Sequence, residues 1–269
     1  MRQDRGPDLA EAQWLPAPRD LRCGQGEVHV WRVDLDVDQV ELGHLEALLA
    51  PDELARAGRF RRALDVRHFV AARGRLRQVL ARYIGADPGA VAIATGRFGK
   101  PELGPPSSSR GLNFNLSHAG GRALVAIAQG RAVGVDLEPV RSDVDVAGIA
   151  ERFFAHEERA ELAELPPELR TVGFYTIWTA KEAFVKALGA GLQMEFASFA
   201  VSLGHRVEQS APGVTSSSPA GERLTLARLA DPDVAAAWTL VGLAVYPGFC
   251  AAVAVEGAIT CLRLWEPDA

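Results

Sequence analysis

The chain has 269 residues, of which 48% are hydrophobic and 23% are charged, and its formal net charge is −5. This composition is typical of a folded globular protein, and the negative charge argues against nonspecific nucleic-acid binding as the main activity. The longest apolar runs fall far short of the roughly 20 residues of a membrane-spanning helix, and the first residues do not resemble a signal peptide. We therefore expect a cytoplasmic protein.

The predicted elements begin after a proline-containing stretch. Residues 1–26 show no apolar periodicity and are predicted to be a loosely attached extension. VHVWRVDL at 28–35 alternates like a strand, and ALLAPDELARAGRF begins a short helix at Pro51. A longer helix is predicted from Val66 to Ile84, ending at Gly85. QSAPGVTSSSPAGE at 209–222 predicts a loop, and WTLVGLAVYPGFCAAVAVEG predicts a hairpin near the end of the chain.

Basic residues are concentrated in the segment from Leu54 to Ile84. This segment contains one acid, Asp65, and nine arginines: Arg56, Arg59, Arg61, Arg62, Arg67, Arg73, Arg75, Arg77 and Arg82. Such a concentration indicates a site for an anion, although a solvated helix face explains the segment equally well.

The stretch GVDLE places two carboxylates in an apolar run. On a strand, Asp136 and Glu138 point to the same face, where the pair indicates a cation. In TVGFYTIWTAKEAFVKALGAGL, Glu182 and Lys186 lie one helical turn apart, which is also the spacing of an ordinary surface ion pair. Together with Asp136 and Glu138, Glu182 would complete a set of oxygen ligands suited to Mg²⁺.

Lysine is rare in this chain, because 26 of its 29 basic residues are arginine. The three lysines are Lys100, Lys181 and Lys186, and all lie in short motifs. In RFGKPELG, glycine precedes Lys100 and Pro101 follows it. In LNFNLSHAGG, a strand ends in Ser117 and His118 beside a flexible turn. No G-x-S-x-G sequence accompanies them, so phosphate binding is favoured over a hydrolase nucleophile, with a purely structural strand end as the alternative.

The three cysteines, Cys23, Cys250 and Cys261, do not indicate a disulfide framework. Their number is odd and their spacing is not that of metal ligands. The sequence therefore predicts neither a set of disulfides nor a zinc site, and buried or inert thiols are expected.

The order of the motifs repeats along the chain. VDLD at 33–36 matches VDLE at 135–138, and the segment from Glu53 to Gly85 has the same length as that from Glu157 to Gly189. These matches indicate two related α+β halves, at 27–131 and 132–269, with a ligand site between them.

The motifs FGKPEL, FNLSHAGG, GVDLEPVR, RFFAHEE and WTAKEAFVKALGAGL, in this order, resemble the surfactin-type 4'-phosphopantetheinyl transferases. The resemblance covers roughly residues 54–257. It implies an α+β fold of two pseudo-symmetric halves with coenzyme A, the substrate, in the cleft between them. Arg67 and His68 stand in a different order from the His-Arg-Thr of some relatives.

The resemblance also implies roles for individual residues. The Mg²⁺ ligands would be Asp136, Glu138 and Glu182, and Lys181 and Lys186 would bind the pyrophosphate. Other contacts to the coenzyme A phosphates would come from Lys100, Pro101, Ser117 and His118, with Arg56, Arg59 and Arg67 near the 3'-phosphate.

The implied activity is transfer of the phosphopantetheine arm to a serine of an apo carrier protein, with Glu182, Lys186 and His118 as catalytic residues. A monomer that binds neither nucleic acid nor membrane is expected. Two alternatives stay open on the sequence, namely a Mg²⁺-dependent phosphohydrolase of nucleotides or coenzyme A, and a noncatalytic module that binds coenzyme A.

Overall fold

A computed structural model describes residues 13–96, 99–189, 194–203, 222–228 and 237–267, with the backbone alone for 222–228. The first twelve residues of the predicted extension lie outside these ranges. The loop predicted at 209–222 lies outside them as well, except for its last residue.

Six α-helices and twelve strands are found in the described residues. The helices are α1 (Gln39–Glu46), α2 (Pro51–Ala57), α3 (Ala63–Ile84), α4 (Val146–Phe153), α5 (His156–Glu164) and α6 (Pro167–Leu188). The strands are β1 (Trp14–Pro16), β2 (Glu27–Asp34), β3 (Ile93–Thr95), β4 (Pro101–Leu103), β5 (Leu112–Ala119), β6 (Arg122–Gln129), β7 (Val133–Pro139), β8 (Ala200–Ser202), β9 (Glu222–Arg228), β10 (Trp238–Gly242), β11 (Phe249–Glu256) and β12 (Cys261–Glu266).

The strands form two five-stranded sheets and one small hairpin. The first sheet has the order β1-β12-β2-β6-β5, and the second has the order β7-β11-β10-β9-β8. Strands β1, β12 and β2 run parallel, whereas the remaining neighbours in both sheets are antiparallel. The hairpin pairs β3 with β4. The expected α+β fold of two halves is confirmed.

The two sheets pack face to face, and a long helix covers the outer face of each. Alternation along the strands produces this arrangement, since Val28 and Val30 face the core between the sheets while Trp31 packs against α3. In the second sheet, Val253 faces the same central core, and Ala252 packs under α6. The layers are therefore helix, sheet, sheet and helix.

Both chain ends differ from the sequence-based expectation. Trp14–Pro16 is an edge strand of the first sheet, and Ala17 and Leu21 are buried in its core, so this part of residues 1–26 is not loosely attached. Strand β12, expected in the half at 132–269, instead lies between β1 and β2 in the first sheet. Apolar alternation marks a strand but does not specify its neighbours, which explains the error.

Gly134, which opens the GVDLE stretch, allows α6 to approach β7. A Cβ atom at this position would lie 2.1 Å from the Ala183 carbonyl oxygen and 2.4 Å from the Ala187 nitrogen. Both are backbone atoms of α6 and cannot move independently of the helix. Glycine thus brings the Glu182 turn of the helix onto the strand that bears Asp136.

Each half contains a buried ion pair between its long helix and the short helix before it. In the first half, Arg77 of α3 donates to Glu53 of α2 at 2.8 Å and to the Val91 carbonyl oxygen at 2.7 Å. In the second half, Lys181 of α6 donates to Glu158 of α5 at 2.7 Å and to the Phe199 carbonyl oxygen at 2.6 Å.

The acids of these pairs have a second, matching role. The Glu53 and Glu158 carboxylates each accept the backbone N–H of the residue three positions earlier, at the start of α2 and α5. The counterpart of Glu53 is therefore Glu158 and not Glu157, which corrects the sequence-based match by one residue. The match between Arg77 and Lys181 agrees with the structure.

These contacts correct the role expected for Lys181. Its side chain is fully buried, and its ammonium is held by Glu158 and Phe199. A residue that binds pyrophosphate must present a donor to the substrate. The Lys181 ammonium is buried against Glu158 and Phe199, so Lys181 stabilises the fold in this structure.

Replacing Lys181 with methionine is expected to lower the free energy of unfolding by about 3–5 kcal/mol, because Glu158 would stay buried without its partner. The double variant Lys181→Met/Glu158→Leu should recover part of this loss. Chemical denaturation measures both, with Arg61→Met, at an exposed arginine before α3, as the control. A Lys181→Met protein of unchanged stability but raised KM for coenzyme A would contradict the structural role.

Candidate active site

The two halves meet along a polar seam between β5 of the first sheet and β7 of the second. Asn115 is 4% exposed, and its side-chain oxygen accepts the Val135 N–H at 2.9 Å. Two residues further along β5, Ser117 donates to Asp136 Oδ1 at 2.8 Å. The period of two along a strand places both side chains on the face toward β7, so FNLSHAGG and GVDLE form one site.

Lys186 of α6 completes a hydrogen-bonded group with Ser117 and Asp136. Its ammonium donates to Asp136 Oδ1 at 2.5 Å and to Ser117 Oγ at 3.1 Å. Asp136 is 2% exposed, whereas the Lys186 side chain is 31% exposed. The lysine therefore reaches the buried acid from the solvent side.

Glu138 and Glu182 are electrostatic neighbours of this group. Burial raises the pKa of Glu138 to about 7, and the Asp136 charge adds to the effect while Lys186 opposes it. Burial also raises the pKa of Glu182, against the influence of Lys186. Both shifts are mainly the effect of burial, and the neighbouring acids add to them, so a bound cation would favour the charged form of these carboxylates.

The donor set fits a divalent cation. The carboxylates of Asp136, Glu138 and Glu182 have one ammonium near them, that of Lys186, so two negative charges are uncompensated within this group when all three acids are deprotonated. Asp136 Oδ2 is buried and has no hydrogen-bond partner in the described part of the chain. A buried acceptor of this kind is costly unless it binds something, and carboxylate oxygens are the ligands that Mg²⁺ prefers.

Lys100 lies where the β3–β4 hairpin meets the second half. Its ammonium donates to the Lys186 carbonyl oxygen at 2.7 Å and to the Val133 carbonyl oxygen at 3.2 Å. A lysine has three N–H donors, so these contacts engage two of them. Pro101 follows as the first residue of β4 and is half-buried.

His118 is on the opposite face of β5 from Ser117 and close to several cations. Its side chain is exposed, yet lost hydration on its covered side lowers the pKa, and the charges of Lys186, His68 and Arg73 lower it further. The imidazole is therefore uncharged near neutral pH. His68 in turn contacts Asp36 at 2.7 Å.

Arg73 is a residue of this neighbourhood that the motifs did not single out. Its Nη1 atom is buried without a hydrogen-bond partner among the described residues, and its guanidinium lies 5.7 Å from the Phe69 ring centre. The guanidinium of Arg56 lies 5.5 Å from the same ring. The arginine concentration in the sequence indicated an anion site. Only the fold shows that Arg73, whose Nε lies 3.8 Å from Glu53, has a buried Nη1 without a hydrogen-bond partner among the described residues.

The other predicted arginines differ in their surroundings. Arg59 is exposed in the turn after α2. Arg67 donates to the Val37 carbonyl oxygen at 2.7 Å and to Gln39 at 2.8 Å, contacts that hold the start of α3 to the segment before α1. Lys181, as described above, is not brought to the seam.

No helix in the described ranges is both long enough and apolar enough to cross a lipid bilayer.

Two α+β halves joined at a polar seam define the class of protein, and comparisons with known proteins identify the family. Residues 132–239 match the 4'-phosphopantetheinyl transferase superfamily, and residues 37–130 match the family described as 4'-phosphopantetheinyl transferase, N-terminal. The chain belongs to the 4'-phosphopantetheinyl transferase superfamily and is a phosphopantetheinyl transferase of the surfactin type.

Individual relatives agree with this assignment. The 4'-phosphopantetheinyl transferase HetI of Nostoc sp. is 38% identical over 258 residues, covering 96% of this chain and 100% of the relative. A 4'-phosphopantetheinyl transferase of Bacillus subtilis is 27% identical over 81% of this chain and 92% of its own length. Neither comparison favours a phosphohydrolase or a noncatalytic module.

The contribution of Glu138 to the stability of the metal-free protein is expected to fall as the pH rises from about 4.5 to about 7, while the lowered pKa of buried His29, about 4, makes an opposite contribution over much of the same range. Within this window folded Glu138, with its pKa of about 7, keeps a proton that the unfolded chain, with a pKa of 4.5, releases. Thermal unfolding in the presence of a chelator measures the slope.

The variant Glu138→Gln should make stability rise more steeply with pH than in the parent protein, because it removes the negative contribution, whereas Glu168→Gln, at an exposed acid at the start of α6, should leave the slope unchanged. An identical slope in the Glu138→Gln protein would show that this carboxyl does not hold its proton in the folded state.

Proposed function

We propose that this chain transfers the 4'-phosphopantetheine arm of coenzyme A to a serine of an apo carrier protein, using Mg²⁺ bound by Asp136, Glu138 and Glu182. The observation that carries the metal assignment is the buried Oδ2 of Asp136, which has no hydrogen-bond partner among the residues that the structure describes and lies near two further carboxylates. When bound, Mg²⁺ supplies positive charge to the pyrophosphate of coenzyme A.

Glu182 is the proposed base. Its carboxylate lies on the helix face that turns toward β7, and its raised pKa makes it a better proton acceptor than an ordinary glutamate. It would accept the proton of the carrier serine as the serine oxygen attacks the β-phosphorus. The bond to the departing 3',5'-ADP breaks in the same transfer.

Lys186, Ser117 and His118 would bind the pyrophosphate and the leaving group. Lys186 is exposed enough to turn one N–H toward a phosphate oxygen while it keeps Asp136 as its partner. His118, uncharged near neutral pH, would donate a single N–H. Lys100 has a third donor for the same purpose, and Pro101 restrains the chain after it.

The 3'-phosphate is proposed to lie against Arg56 and Arg73. Both guanidinium groups lie near the Phe69 ring, and burial without a full set of partners makes an anion a favourable contact for Arg73. Arg59 would contribute long-range attraction from its exposed position. Arg67 would orient the start of α3. Any direct contact between Arg67 and the 3'-phosphate would come from the N–H groups that do not bind Val37 or Gln39.

The remaining assignments extend the sequence-based predictions. We propose a cytoplasmic monomer whose macromolecular partners are apo carrier proteins, with no role for nucleic acid or membrane. The exposed arginines near Leu54 and Phe60 support attraction of an acidic partner.

The central test is an assay with coenzyme A, Mg²⁺ and an apo carrier protein, read by mass spectrometry as one added phosphopantetheine arm. The variant Asp136→Asn keeps an oxygen for Ser117 but removes the charge, so transfer should fall by roughly a hundredfold or more. Its control is Asp34→Asn, the corresponding acid of VDLD in the first half. Full transfer by Asp136→Asn at saturating Mg²⁺ would contradict the metal assignment.

The same assay tests the base. Glu182→Gln should reduce transfer by about 10²- to 10⁴-fold while coenzyme A still binds, and Glu168→Gln should behave like the parent protein. Release of 3',5'-ADP without a carrier protein would favour the phosphohydrolase. Binding of coenzyme A with no turnover under any condition would favour the noncatalytic module.

The arginine assignment is tested by comparing coenzyme A with 3'-dephospho-coenzyme A as substrates. Arg73→Gln should raise the KM for coenzyme A about tenfold and leave that for the dephospho substrate nearly unchanged, because only the former has the 3'-phosphate. Arg61→Gln, an exposed arginine of the same segment, is the control. An equal rise for both substrates would exclude Arg73 as a ligand of this phosphate.

A further inference from the structure

A second group of metal-ligating side chains lies outside the seam. The Sγ of Cys23, a carboxylate oxygen of Glu27 and an imidazole nitrogen of His29 all lie within 4.8 Å of one another. Glu27 begins β2, whereas Asp34 at the other end of β2 pairs with Arg122 beside the turn that follows His118. The group is therefore at the end of β2 that points away from the proposed active site.

The three atoms are of the types that bind zinc. Thiolate, imidazole and carboxylate are all ligands of Zn²⁺, whereas Mg²⁺ prefers oxygen alone. Metal–ligand lengths of about 2.0–2.3 Å in a tetrahedron place ligand atoms roughly 3.5 Å apart. The three ligand atoms lie at most 4.8 Å from one another, so small rotations of their side chains would bring them to the spacing of a zinc site.

The orientation of His29 is fixed by contacts on its far side. The ring is 2% exposed, and its Nδ1 lies 2.8 Å from the Tyr83 hydroxyl, which also accepts the Trp31 indole N–H at 2.8 Å. Its Nε2 lies 3.5 Å from the Glu27 carboxylate. With the proton on Nδ1, toward Tyr83, the Nε2 lone pair points into the group. An outer hydrogen bond of this kind is typical of metal-bound histidine.

A second thiol stands on the neighbouring strand. Cys261, the first residue of β12, is in register with Glu27. Residues in register on adjacent parallel strands point to the same face of the sheet, which is also the face of His29. A fourth ligand is thus available from a strand that comes from the other end of the chain.

We propose that Cys23, Glu27 and His29 form a zinc site, with Cys261 placed to supply the fourth ligand. The site would join the segment before β2 to β2 and β12, and so would hold the terminal strand in the first sheet. It is independent of the proposed active site, and its metal would stabilise the fold without taking part in transfer.

The test uses the full chain, freed of metal and held in excess Mg²⁺ so that the seam carboxylates do not compete. Titration with Zn²⁺ against a chromophoric chelator should show one tightly bound equivalent and a rise in the melting temperature. Co²⁺ in place of Zn²⁺ should give the sulfur-to-metal absorption band of a cysteine ligand and the visible spectrum of a tetrahedral site.

Three variants distinguish this site from others in the chain. Cys23→Ser should weaken zinc binding by at least about a hundredfold and abolish the sulfur-to-cobalt band, and His29→Gln should do the same where it folds. Cys250→Ser, at a thiol on β11, should leave both unchanged, and Asp136→Asn should still bind one zinc ion. Weak zinc binding by the parent protein, or tight binding retained by Cys23→Ser, would overturn the proposal.

Discussion

The two buried ion pairs determine how each half is assembled. Arg77 with Glu53, and Lys181 with Glu158, join a long helix to the short helix before it and to a carbonyl oxygen of the segment after it. Removing Lys181 would leave Glu158 buried without this charged partner, and removing Arg77 would leave Glu53 with the more distant Arg73, at 3.8 Å, so each pair stabilises the joining of the three segments of its half. Lys181 lies in the motif WTAKEAFVKALGAGL, which resembles a ligand-binding motif, yet in this structure it stabilises the fold.

This scaffold makes the seam possible. The Lys181 pair fixes the position of α6, and Gly134 lets the helix backbone come close to β7. Lys186, little more than one turn after Lys181, then reaches Asp136 from the solvent side. Because residues five positions apart on an α-helix point in directions about 140° apart, Lys181 is buried as an anchor while Lys186 lies at the site.

Sequence patterns predicted the parts of this protein that depend on local periodicity. Strand β2, helix α3 with its end at Gly85, and the alternation in GVDLE all follow from periods of 2 or 3.6. Three features had no local signal: β12 joining the first sheet, the burial of Lys181, and the buried Nη1 of Arg73, which has no hydrogen-bond partner in the described part of the chain. Each depends on contacts between residues distant in sequence. Strand alternation placed Asp136 and Glu138 on one face, and the Asp136 charge does act on Glu138 in the structure, while their role as metal ligands stays a prediction.

The two halves share a plan but differ in charge at corresponding positions. In the first half, the acids of VDLD have basic partners, since Asp34 contacts Arg122 and Asp36 contacts His68. In the second half, the acids of VDLE share Lys186 with Glu182, and one Asp136 oxygen has no hydrogen-bond partner in the described ranges. Acids that contact basic residues attract a cation weakly, whereas buried acids without enough basic partners attract it strongly. The pseudo-symmetric fold therefore favours an Mg²⁺ site formed by acids of the second half alone, and in the proposed function the first half contributes arginines and β5 side chains to the binding of the substrate phosphates.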